Sequence, residues 1–139
     1  MEDTMTKNIG LWIDHETTFI VIISNGDQKI KKIESEVESH IKTLGGSRTA
    51  SPYGPQDVAT ERKLERKRKQ HLHQYYQNII GAIKDVDRIF IFGPGTAKLE
   101  LEKEIKKSKK LAAKITGIEP ADKMTEGQIC AKVKKFFER

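Results

Sequence analysis

Chemistry in this chain would have to come from a small set of side chains. Asp14 follows the apolar stretch Ile9–Ile13 (IGLWI), and hydrolases often hold Mg²⁺ with a carboxylate at a strand end. Such a site needs further carboxylates converging on the ion. The later strands end near Gly93 and Glu119, which leaves Glu119 as the second ligand of a small Mg-dependent nuclease or phosphohydrolase. Asp-His-Glu-Thr at 14–17 is equally the composition of a turn, because Asp side chains bond their own backbone two residues on. Gly93-Pro94-Gly95-Thr96-Ala97-Lys98 suggests a phosphate site at a helix start, with Gly95, Thr96 and Lys98 as its candidates. It is not GxxxxGK[ST], and Pro94 has no N–H to offer; a strand-to-helix turn capped by Thr96 explains the same residues. His71-x-His73 lacks the i,i+4 spacing of a zinc helix, and His15 and His40 add no ligand pattern. Ser47 has no His and acid near it in sequence. We assign no catalytic residue, metal or cofactor.

The stronger signal is one of binding. Glu61–Lys69 (ERKLERKRK) holds Arg62, Lys63, Arg66, Lys67, Arg68 and Lys69 against two glutamates. It continues into Leu72, Tyr75, Tyr76, Ile79, Ile80 and Ile83, whose three-and-four spacing marks one face of a helix. The uninterrupted pattern predicts one helix of about 25 residues, roughly 37 Å long. Its second half has an apolar stripe to pack, burying Leu72, Tyr76, Ile79 and Ile83. Its first half offers only Leu64, so that half should project, with Arg62, Arg66 and Lys69 exposed. Cations near a helix N-terminus oppose the macrodipole by about 0.3–1 kcal/mol each when exposed, and a polyanion against the helix removes the conflict. The competing readings are a solvated face and a surface for an acidic partner protein. The preceding stretch from Ser39 to Gln56, with Gly45, Gly46, Ser47 and Arg48, is rich in Gly, Ser and Pro, which predicts a mobile loop over residues 39–57. Tyr53 within it could stack on a base.

The elements that must position these residues follow from patterning. The 139 residues, 36% hydrophobic, suit one domain with a modest core. A net charge of +6 favours acidic partners, nucleic acid foremost. The lone Cys130 suits a reducing cytosol, and the longest apolar run, Phe19–Ile23, is too short to span a bilayer. The first ten residues lack the apolar core of a signal peptide, so the expected location is cytoplasmic, with no membrane partner. After a frayed tail at 1–8, strands are expected at Ile9–Ile13, Thr18–Ser24 and Gln28–Glu38, with Asn25-Gly26-Asp27 as a tight turn. The basic helix comes next, then the apolar strand Arg88–Phe92 and a helix from Thr96 to Lys107 buried through Ala97, Leu101 and Ile105. A strand at Lys114–Ile118 precedes a last helix opened by the capping box Thr125–Gln128 and buried through Ile129, Val133, Phe136 and Phe137. The order β-β-β-α-β-α-β-α predicts an α/β fold, a mixed five-stranded sheet in the RNase H-like order 3-2-1-4-5, with helices on both faces.

The assembled pattern resembles the central domain of eukaryotic and archaeal class-1 peptide-release factors and of their paralogue Pelota. The matching features are the strand meander, Gly45-Gly46, the basic helix ERKLERKRKQHLHQYY, and FIFGPGTAK leading into a helix. More closely, WIDHE, FGPGTAKLEL and GIEPADKMTEGQICAKVKKFF resemble small stand-alone bacterial proteins labelled translational machinery components. The resemblance implies a translation module that contacts ribosomal RNA or tRNA on the ribosome through Gly45, Gly46, Ser47, Arg48 and the basic helix. It does not imply peptidyl-tRNA hydrolysis: release factors carry Gly-Gly-Gln, whereas Ser47 follows Gly45-Gly46 here and Gln56 is only a distant echo.

Overall fold

Asn25 and Gly26 both take positive φ, 51° and 84°, and turn strand β2 (Thr17–Ser24) back into β3 (Asp27–Glu34). Two such residues suit the twist of an antiparallel hairpin. The computed structural model in which this turn is seen describes residues 6–36 and 54–138, with side chains from residue 60 onward in the second span. β1 (Lys7–Ile13) pairs antiparallel with β2, Lys7 opposite Ser24 and Ile13 opposite Thr18. On its other side β1 runs parallel to β4 (Arg88–Gly93), and β4 runs parallel to β5 (Ile115–Pro120). The sheet order is β3-β2-β1-β4-β5, as the sequence predicts.

Period-two alternation sorts the strands' side chains onto two faces. Ile9, Leu11, Ile13, Ile20, Ile89 and Ile91 point to one face and are fully buried. That face is covered by α1 (Gly54–Ala82), α2 (Ala97–Ile105) and the single turn α3 (Lys109–Ala112). Trp12, Val21, Phe90 and Phe92 point to the other, under α4 (Glu126–Phe137). β4 is therefore apolar on both sides, as its continuous run requires. Burying a side chain such as Ile79, 0% exposed, is worth about 1.5–3 kcal/mol. α4 approaches β1 closely: a Cβ on Gly10 would collide with the Val133 side chain. Gly93 ends β4 at φ 149°, where a Cβ would collide with the Ile13 carbonyl oxygen.

Several boundaries differ by a residue or two from the sequence expectation, β5 and the end of α2 among them, and three others have a visible cause. β1 starts at Lys7, two residues into the expected tail, because backbone pairing is indifferent to side-chain polarity. The Lys7 amide donates to Asp87 Oδ2 at 2.7 Å and its carbonyl accepts from Asp87 N at 2.8 Å. β3 stops at Glu34 rather than Glu38, since Glu36 takes φ 55°, outside the strand region. α1 begins at Gly54, inside the stretch expected as loop; Pro55 then stands at its first turn, where a missing N–H costs nothing. Thr125 does form the capping box: its Oγ1 accepts from Gln128 N at 3.2 Å, and Gln128 Oε1 accepts from Thr125 N at 3.0 Å. Phe136 and Phe137 are half-buried beside the fully buried Ile129 and Val133. Among the described residues, no helix is long and apolar enough to cross a membrane.

Candidate nucleic-acid interface

The 29 residues of α1 span about 43 Å at 1.5 Å each, whereas the longest strands, of eight residues, span about 26 Å. The helix cannot lie wholly on the sheet. Its C-terminal half does: Tyr75, Tyr76 and Ile79 are buried, as is Ile83 just past its end, Ile80 is half-buried, and Tyr75 reaches Asp14 at the C-terminal end of β1. Leu72, expected buried, is only half-buried, packed against the margin of the core. Beyond it the same stripe continues as Arg68, Glu65 and Glu61, at helical spacing from Leu72, and all three are exposed. The face that packs downstream is exposed upstream, with Leu64 and His71 half-buried on its flank, so among the described residues the N-terminal half overhangs. Arg62, Lys63, Arg66 and Lys69 are exposed on this overhang as well, and Lys67 is half-buried.

Where the overhang begins, polar side chains from four places converge. Asp14 folds onto its own turn, its Oδ1 accepting from Glu16 N at 2.8 Å and Thr17 N at 2.7 Å. The Tyr75 hydroxyl donates to the Asp14 carbonyl at 3.1 Å. It therefore accepts from Thr18 Oγ1 at 2.5 Å, since it has one proton to give. Burial holds the Tyr75 phenol above its ordinary range. Tyr76 donates instead to Glu100 Oε1 at 2.6 Å, and burial, reinforced by that carboxylate, raises its phenol too. His15 Nε2 lies 3.1 Å from the same oxygen, and Thr96 Oγ1 donates to Glu100 Oε2 at 3.0 Å. Burial pushes the Glu100 carboxyl up, but the bonds from Tyr76 and His15, the His15 charge and Thr96 outweigh it, leaving it below its ordinary range. One turn on, Glu104 Oε1 accepts from Gln77 at 3.2 Å and Lys107 at 3.1 Å, with His73 Nδ1 at 3.6 Å.

These contacts place the remaining sequence candidates. Thr96 flanks α2 but makes no side-chain cap, since its backbone is helical (φ −101°, ψ −6°) rather than extended; its hydroxyl donates to Glu100, four residues on. Lys98 Nζ turns back to the Gly95 carbonyl at 2.5 Å, and Gly95 takes φ 65° to make the turn. Gly95, Thr96 and Lys98 thus adjoin one another, with a carboxylate beside them. Glu119 pairs with Lys132 of α4 at 3.4 Å. The register Trp12–Phe92–Glu119 puts Glu119 two strands from β1, about 10 Å at sheet spacing, and Asp14 two residues farther along. Oxygen ligands of a shared ion stand about 2.0–2.6 Å from it, so the two carboxylates do not converge as placed. Among the described residues no three His, Cys, Asp or Glu side chains group as a metal site. Gly45, Gly46, Ser47, Arg48 and Tyr53, with most of the loop expected at 39–57, lie outside the described residues.

The sequence matches no protein-family model and no curated protein. Its structure is similar to the crystal structure of the Thermoplasma acidophilum Pelota protein, with a TM-score of 0.55 and 14% identity, over 99% of this chain and 41% of that one. The likeness is one of fold. This chain spans well under half of the Pelota chain's length. Weaker similarities are to an archaeal translation termination factor (TM-score 0.49, 13% identity, 95% of this chain and 39% of that one) and to a PilM–PilN type IV pilus biogenesis complex (0.46, 12%, 94% and 43%).

Glu100 is the residue that sequence reasoning missed. Its partners His15 and Tyr76 lie 85 and 24 residues away, and no local spacing announces them. The one sequence cue is Glu100 four residues after Thr96, a pair that shares a helix face.

Proposed function

We propose that this chain is a ribosome- or RNA-associated binding module of the translation machinery, acting in the cytoplasm and without peptidyl-tRNA hydrolysis. The observation that carries the reading is the overhang: half of α1 stands clear of the sheet and holds Arg62, Lys63, Arg66 and Lys69 exposed. For an exposed helix segment loaded with cations, phosphates are a counterpart that suits it. The sequence resemblance to release-factor and Pelota central domains, and the Pelota-like fold, support translation as the setting. By sequence alone Gly45, Gly46, Ser47 and Arg48 join the contact surface, as does ribosomal RNA or tRNA as its target. Backbone contacts dominate, with little base readout.

Co-sedimentation with ribosomes across a salt series tests this. Log affinity should fall steeply with log salt, and Arg62→Gln with Arg66→Gln should flatten the slope by about 1.4, at roughly 0.7 for each phosphate no longer neutralised. A folded double variant with the wild-type affinity and slope would return the basic run to plain solvation. Retention on acidic protein fractions instead of ribosomes would redirect the surface to a protein partner.

A further inference from the structure

The root of the overhang is gripped from both sides, and the grip has a consequence for binding. Tyr75 ties α1 to the β1–β2 turn through the Asp14 carbonyl and Thr18, while Tyr76 ties it to α2 through Glu100. His15, next to Asp14, bonds Glu100 as well. The bonds therefore close a ring running from the turn through His15, Glu100, Tyr76 and Tyr75 back to Asp14. Glu104, one turn along α2, adds Gln77 and His73 of α1. Two carboxylates of α2 thus hold Tyr76 and Gln77, with His73 3.6 Å from Glu104, at the point where α1 leaves the sheet.

We propose that Glu100 and Glu104 are positioning residues that fix the direction in which the basic overhang projects, and so govern RNA binding without touching RNA. The leverage is geometric. Arg62 lies 14 residues before Tyr76, about 21 Å along the helix at 1.5 Å per residue. A tilt of about 10° at the root then displaces Arg62 by nearly 4 Å, more than the length of a hydrogen bond to a phosphate oxygen. The apolar packing under Ile79 and Ile83 resists translation of the helix, but it lies behind this pivot. Leu72 is only half-buried, so apolar packing thins toward the overhang and the polar ring adds restraint on the tilt there. The proposal rests on the overhang being the RNA-binding surface, and charge makes it separable from simple electrostatics. Removing a carboxylate makes the protein more cationic, which by itself strengthens binding to a polyanion. Loss of aim weakens it, because apparent affinity falls with the fraction of molecules in the competent orientation. The two effects have opposite signs.

The experiment compares Glu100→Ala/Glu104→Ala with Glu100→Gln/Glu104→Gln in the full chain. Both variants lose the same two charges, but Gln keeps a neutral acceptor on each side chain. Ribosome co-sedimentation should show the Ala pair about three- to tenfold weaker than wild type, with the Gln pair between them. Spin labels at Glu61→Cys and Thr116→Cys, in a Cys130→Ser background, measure the overhang's direction without any RNA. The Ala pair should broaden that distance distribution while the melting transition stays cooperative. An unchanged distribution overturns the proposal, and so does a broadened one with equal or tighter ribosome binding. A wild-type protein that binds no ribosome refutes the RNA-binding reading and the control of binding with it; a distance distribution unaltered in the Ala pair refutes the grip alone.

Discussion

Tyr75 and Tyr76 are neighbours in sequence, yet their hydroxyls donate to different elements: Tyr75 to the Asp14 carbonyl at 3.1 Å, Tyr76 to Glu100 at 2.6 Å. Their losses should differ in kind. Tyr75→Phe strands the Thr18 hydroxyl, which is 0% exposed, and an unsatisfied buried group costs about 1–3 kcal/mol. Tyr76→Phe leaves Glu100 with water to replace the bond, since its side chain is 42% exposed, so the cost should fall to about 1 kcal/mol or less. Urea denaturation of both variants decides; equal losses would mean that Thr18 finds another partner.

Glu100 also gives stability a pH dependence. Its carboxyl sits lower in the folded protein than in an ordinary, unfolded chain. The folded state thus favours the charged form, and the resulting stabilisation is present above the unfolded carboxylate range, about 4.3. It is lost as pH falls through the folded value. Glu100→Gln should remove this component, giving a shallower decline in stability below about pH 4.3 than wild type. Thermal melts from pH 7 to pH 3 read this directly, and parallel wild-type and variant profiles would contradict it.

Two glycines that a side chain would overfill should respond differently to repair. Gly10→Ala drives a methyl into Val133, a clash between side chains. Overpacking of this kind costs about 1–3 kcal/mol, and Val133→Ala should restore part of it despite the cavity it makes. Gly93→Ala meets the Ile13 backbone carbonyl at φ 149°, where no partner substitution can make room. A double-mutant cycle on Gly10 and Val133 should show favourable coupling of about 0.5–3 kcal/mol; additivity would place α4 differently.

The packed half of α1 and the capped end of α4 offer two conventional checks. Ile79→Ala should cost about 2–5 kcal/mol through the cavity it leaves. Thr125→Ala should cost about 0.5–2 kcal/mol by opening the capping box. Denaturant midpoints that move with unchanged slopes would confirm that each acts on the folded state.

The elements readable from sequence are those whose signal is local and periodic. Ile89–Phe92 reads as a central strand because both faces are apolar, and Ala97, Leu101 and Ile105 read as a helix stripe because they recur every four residues. Thr125 and Gln128 announce their cap by spacing alone. What escapes are competitions. Gly54-Pro55 signals a turn and a helix start at once, and the helix prevails. Thr96 has the composition of a cap, but its backbone is already helical, and its hydroxyl donates to a carboxylate four residues on. The ring around Glu100 is assembled by topology, from residues up to 85 positions apart, so no window of sequence contains it.

The place of β1 in the sheet has a bearing on how the chain is made. β1 is the middle strand, yet one of its two edges waits for β4, whose partner residues lie some 80 positions later. During synthesis the first three strands can pair as a meander while the far edge of β1 stays open. The whole of α1 must emerge before that edge is closed. Loop-closure entropy grows only slowly with length, but it must be met before the parallel pairing returns anything. Amide protection in refolding should therefore appear across β1–β2 before β1–β4, and the unpaired edge of an apolar central strand is the stretch a nascent chain most needs kept from its neighbours.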